Sequence, residues 1–122
     1  FAHGFSHDYD VHQGTVHGVL APHVLEYVFE HAHARRDLLA DGLGIGAEST
    51  TDDDLADRVV DAVAALSDDL GLPSRLREID GLARADFPSI AAEIHGDGLL
   101  PAAPEGVDPT TDEIEGVLDA AW

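Results

Sequence analysis

Lysine is absent from this 122-residue chain, and six arginines stand against 25 Asp and Glu, for a formal charge of −19. Phosphate neutralisation needs a basic surface, so the balance argues against sequence-independent nucleic-acid binding. An anionic membrane leaflet repels such a chain for the same reason. No apolar run approaches the roughly 20 residues that span a bilayer, so no transmembrane segment is expected. The first residues have neither the basic head nor the apolar middle of a signal peptide. Cysteine is absent, which removes disulfides and thiolate metal ligands. Methionine is absent too and the chain opens on Phe1, so we expect sequence ahead of it.

What is present is enough for a core. Apolar residues make up 44% of the chain and fall in periodic runs, which argues against disorder. Acidic residues with no lysine fit adaptation to concentrated salt, where counterions screen self-repulsion. That reading predicts a loss of helicity when salt is removed. A melting temperature unchanged between molar and millimolar salt would contradict it.

The periodicity predicts an all-α domain over 1–122, a helical bundle without a linker or internal repeat. Phe1–His7 reads as the tail of a helix and Asp8–Gly14 as a polar break. A helix over Thr15–His33 is expected to be interrupted or kinked at Pro22, which lacks a backbone donor. Arg36–Gly42 reads as a short helix, and the following Gly44 and Gly46 as part of its cap and loop. Thr51 is the expected N-cap of the next helix, with Asp52, Asp53 and Asp54 favoured by the dipole in its first turn. Leu55, Val59, Val63, Leu66 and Leu70 form one stripe at helical spacing, closed by Gly71 and Pro73. Pro88–His95 reads as a helix and Gly96–Pro109 as a loop. Thr110 and Glu113 have the spacing of a capping box for a last helix that turns Ile114, Val117, Leu118 and Ala121 inward.

The histidines carry the chemical content. Five of eight lie in the first 23 positions: His3, His7, His12, His17 and His23. His3 and His7 share a face if helical, and neutral imidazole is a common ligand for divalent first-row metals. Asp8 and Asp10 are the nearest carboxylates in sequence. His31, His33 and His95 read as ordinary helix-end residues, since imidazolium is favoured there. Ser6, Ser49, Ser67, Ser74 and Ser89 lack a glycine elbow, and neither phosphate-cradling glycine motif occurs, so a nucleophile or P-loop chemistry is not indicated.

The segments Ala2-His3-Gly4-Phe5-Ser6-His7, Tyr9-Asp10-Val11-His12, His17-Gly18 and Ala21-Pro22-His23-Val24-Leu25-Glu26-Tyr27 together resemble the iron-containing (group III) alcohol dehydrogenase family, maleylacetate-reducing relatives included. Leu70 to Glu78 and the ending Ala120-Ala121-Trp122 agree, so the likeness covers essentially the whole chain and is to the C-terminal helical domain. The resemblance implies an NAD(P)-dependent, cytoplasmic oxidoreductase of two domains. Its helical half holds a divalent metal, Fe or Zn, and the nucleotide-binding half holds most of the NAD(P). It implies His3 as a metal ligand, and His7 as a residue near nicotinamide that assists proton transfer or orients the cofactor. The other late ligand is His12 by its neighbours Tyr9-Asp10-Val11, which implies a shortening after His7. It is His17 by its separation of fourteen from His3 and by the Gly18 that follows.

The early Asp and His ligands and the nucleotide-binding half of that family are not in this sequence. We therefore expect the chain to be inactive alone, to require the nucleotide-binding domain or a partner chain, and to form a homo-oligomer. The competing expectation is a non-catalytic helical module that binds metal or protein.

Overall fold

The computed structural model describes residues 1–5, 9–32, 35–46, 51–98 and 100–122. Among them are five α-helices and no strand: α1 (Gln13–His31), α2 (Arg36–Gly42), α3 (Asp52–Asp69), α4 (Phe87–Gly96) and α5 (Thr111–Ala120). The all-α reading is borne out. Short 3-10 turns lie at Ala2–Phe5, Leu76–Glu78, Arg84–Asp86 and Leu100–Ala102. The described part of the expected N-terminal helix tail is a 3-10 turn over Ala2–Phe5, and His7 lies outside the described residues.

Helix ends follow the local chemistry. The Thr51 side chain accepts from the Asp54 N–H and starts α3. Thr110 and Glu113 form the reciprocal capping box of α5. The start of α1 is less usual: the ring Nδ1 of His12 accepts from the Thr15 N–H at 3.3 Å.

Pro22 lies inside α1 without ending it. Proline removes the donor that would serve the carbonyl four residues earlier, that of Gly18. The Ser67 hydroxyl of α3 donates to that Gly18 oxygen at 3.2 Å. The absent backbone bond is thereby replaced by a tie between helices.

Helix α1 packs against α3 and, through other residues, against the N-terminal turn and α5. The larger core gathers Phe5, Leu20, Leu76, Ile90, Ile94, Ile114 and Leu118, all essentially without solvent exposure. Each such aliphatic side chain contributes about 1.5–3 kcal/mol relative to leaving it in water. Trp122 meets Phe87 edge-on, with ring centres 5.5 Å apart. A smaller core of Phe29, Ala40, Leu55, Ala56 and Val59 joins α2 and α3 to the end of α1.

The α3 stripe departs from expectation in its second half. Leu55 and Val59 are buried, but Leu66 and Leu70 are 53% and 68% exposed. The Ser67 contact shows which face meets α1 there, and it is not the face that carries those leucines. No helix among the described residues is long and apolar enough to cross a membrane.

Candidate metal-facing site

His3 stands on the N-terminal turn, whose Ala2, Gly4 and Phe5 are buried while the imidazole remains exposed. That turn lies unusually close to α4. A Cβ on Gly4 would sit 2.5 Å from Ile94 Cγ1 and 3.1 Å from the Ile90 carbonyl oxygen. Glycine is therefore a packing requirement of the turn that presents His3.

His17 projects from α1 one turn beyond the helix start. With Val24 and Val28 it lies on one helix face, because seven and eleven residues are close to whole numbers of turns. The following Gly18 permits another close approach, since a Cβ there would run into Leu72 Cδ1. His3 and His17 line one cavity of about 350 Å³, together with Phe1, Val24, Val28 and Asp97. Leu100, Ala103 and Val107 from the loop after α4 form another part of its lining. The arrangement is an apolar pocket with two imidazoles and one carboxylate. Both His3 and His17 are solvent-exposed at its rim.

The remaining histidines have other settings. His12 is at the helix start, with Nδ1 occupied as an acceptor from Thr15, and it does not line that cavity. His23 is half-buried in the grooves that flank α1. Burial holds its pKa below the ordinary 6.5, with help from the Arg75 charge and against the pull of Glu26. His31 stacks on Tyr27 at 4.0 Å between ring centres, and its Nδ1 lies 2.8 Å from the Tyr27 carbonyl oxygen. Its Nε2 is 3.7 Å from Glu113 Oε1. His95 reaches the Pro109 carbonyl oxygen at 3.2 Å. Both fit the helix-end reading. His33 and Asp8 lie outside the described residues, and Asp10 is exposed.

Asp97 was not visible as a site residue in the sequence. It lies 94 positions after His3 between two glycines, in a stretch that reads as a turn. Only the packing of the N-terminal turn on α4 brings it to His3, with Asp97 Oδ2 at 3.8 Å from His3 Nδ1. No local pattern announces that meeting.

As donors, the imidazoles of His3 and His17 fit a divalent metal in an otherwise apolar pocket. Among the described residues, however, no three His, Asp or Glu side chains come together as a group that holds an ion. His3 and His17 alone are fewer than the three protein ligands that a catalytic zinc-type site uses.

A family model described as the Fe-containing alcohol dehydrogenase family, C-terminal, matches residues 1–122. Lactaldehyde reductase of Escherichia coli (strain K12) is 28% identical over 124 residues, covering 98% of this chain and 32% of the relative. The 1,3-propanediol dehydrogenase of Citrobacter freundii is 31% identical over 102 residues, covering 80% of this chain and 26% of its own. A solved structure of 1,3-propanediol oxidoreductase matches with a TM-score of 0.85 at 28% identity, over 99% of this chain and 31% of that one. The chain thus spans 32% or less of these relatives' own lengths.

Proposed function

The chain belongs to the Fe-containing alcohol dehydrogenase family, and from that premise we propose that it is the metal-bearing helical part of an NAD(P)-dependent oxidoreductase acting on a small alcohol or its carbonyl counterpart. The observation that carries this reading is the shared cavity of His3 and His17. A bound divalent ion, Fe²⁺ or Zn²⁺, supplies Lewis-acid polarisation of the substrate oxygen. This chain's own residues do the rest of their work by position. His3 and His17 present imidazole nitrogens, and Val24, Val28 and Leu100 keep the pocket apolar.

Between the two candidates for the second ligand, we propose His17. It lines the cavity with His3, whereas His12 is engaged in starting α1. His7 is proposed to assist proton transfer or orient the nicotinamide. The substrate class rests on the lactaldehyde and 1,3-propanediol named for the relatives.

Two imidazoles fall short of the three protein ligands that a catalytic zinc-type site uses. The remaining donors and the dinucleotide site belong to a nucleotide-binding domain or partner chain, and the 122 residues alone are inactive. The test is to strip the intact protein with a chelator, restore Fe²⁺ or Zn²⁺, and follow NADH or NADPH absorbance with small alcohols and aldehydes. The expected result is turnover that disappears with the metal and is absent from the isolated chain. Turnover indifferent to the chelator, or turnover by the isolated chain, would overturn the reading.

A second reading, a non-catalytic helical module that binds metal or protein, is favoured by one observation. Leu38, Leu39, Leu43, Leu66 and Leu70 are all exposed, which suits association with another surface. An intact protein that binds neither NADH nor NADPH would favour it.

A further inference from the structure

We infer that Asp97 is a positioning residue for His3: its carboxylate takes the Nδ1–H of His3, fixes that tautomer, and leaves the Nε2 lone pair for a metal in the cavity. This rests on the reading above, in which His3 is a ligand. Asp97 Oδ2 lies 3.8 Å from His3 Nδ1, and both residues line the same cavity. The two partners differ in freedom. The His3 side chain is 63% exposed and that of Asp97 is 27% exposed, so the ring has the more open surroundings for a rotation. The present separation is longer than a hydrogen bond. A small rotation of an exposed ring closes it, as hydrogen bonds that are long in an empty site tighten in the loaded one.

The Asp97 carboxylate also acts on the Phe1 ammonium group, whose charged form it favours. The Asp97 backbone ends α4, with its N–H donating to the Ile94 carbonyl oxygen at 3.1 Å, and any residue supplies that bond. A carboxylate at the C-terminal end of a helix also opposes the helix dipole, which favours cations there. An exposed His–Asp pair contributes little to stability. The orienting role fits the placement beside His3, because a metal-bound histidine almost always donates its second ring N–H to a carboxylate, carbonyl or water. Gly4 supplies the geometry. By allowing the turn to approach Ile94 and the Ile90 carbonyl, it sets His3 beside the end of α4.

The test compares Asp97→Ala, Asp97→Glu and His3→Ala in the intact protein, with Co²⁺ as the probe and its visible absorption as the readout. Asp97→Ala is expected to weaken Co²⁺ binding by about 10–100-fold and to alter the cobalt spectrum. The melting temperature of the metal-free protein should not change, and Asp97→Glu should recover part of the affinity. If His3→Ala weakens cobalt binding and Asp97→Ala does not, the inference is overturned while the ligand assignment stands. If neither variant weakens it, the ligand assignment itself fails and takes the inference with it. A loss of cobalt affinity in Asp97→Ala that comes only with a lowered metal-free melting temperature, and is not recovered by Asp97→Glu, assigns Asp97 a structural role and also overturns the inference.

Discussion

The two halves of the molecule are held by different means. The half made by the N-terminal turn, α4 and α5 closes around fully buried Phe5, Ile90, Ile94, Ile114 and Leu118. The α2–α3 half has a small core and leaves five leucines exposed. It relies instead on Arg36, only 7% exposed, whose guanidinium donates to the Phe29 carbonyl at the end of α1 and to the Asp52 carbonyl at the start of α3. The same guanidinium lies 5.3 Å from the Phe29 ring centre, and its Nε has no hydrogen-bond partner among the described residues. Apolar packing fixes many atoms at once, whereas a polar tie fixes one junction. His3, the proposed ligand, is mounted on the half with the dense packing, which is where a ligand needs to be held still.

The comparison breaks if leucines in the two halves matter equally. Leu118→Ala is expected to cost about 2–5 kcal/mol, while Leu70→Ala should change stability by no more than about 0.5 kcal/mol. Urea unfolding of both variants checks this, and equal shifts in midpoint would erase the distinction. A smaller but sharper effect is expected at Gly4. Adding one methyl group against Ile94 and the Ile90 carbonyl should cost about 1–3 kcal/mol in Gly4→Ala by the same assay. A neutral result would mean that the turn is not locked to α4. Thr110→Ala removes the capping box of α5 and should cost about 1 kcal/mol, read as a lower melting temperature.

The smallest effect lies at His23, on α1 between the two halves. Its pKa is lowered in the folded state, so the unfolded chain binds more protons near and below pH 6.5. Its contribution is therefore fully present at higher pH and is lost as pH falls below 6.5 toward the depressed folded-state value. His23→Gln should flatten that part of the stability profile. A profile of unchanged slope would show that His23 is not shielded as the structure implies.

Local chemistry made much of the fold readable. Thr51 and the Thr110–Glu113 pair mark helix starts because capping uses neighbouring residues. The α3 stripe was half legible. Periodicity shows which residues share a face, but not how far along a helix a partner covers it, and α1 meets Ser67 rather than the Leu66–Leu70 face. Pro22 was expected to interrupt or kink α1, and a hydroxyl distant in sequence serves the carbonyl it leaves open. In the site, His3 and His17 were both named, yet spacing and neighbouring residues pointed to different second ligands. The proposal of His17 rests on the cavity it shares with His3, while His12 caps α1. Asp97 was illegible because its relation to His3 exists only after α4 folds against the N-terminal turn.

The central claim is that His3 and His17 face one metal while His12 starts a helix. The direct measurement is the metal content of the intact protein carrying His17→Ala or His12→Ala, by elemental analysis after equilibration with Zn²⁺. The account predicts that His17→Ala loses the bound ion, whereas His12→Ala retains it and shows only a weaker helix start. Retention in His17→Ala together with loss in His12→Ala would contradict it.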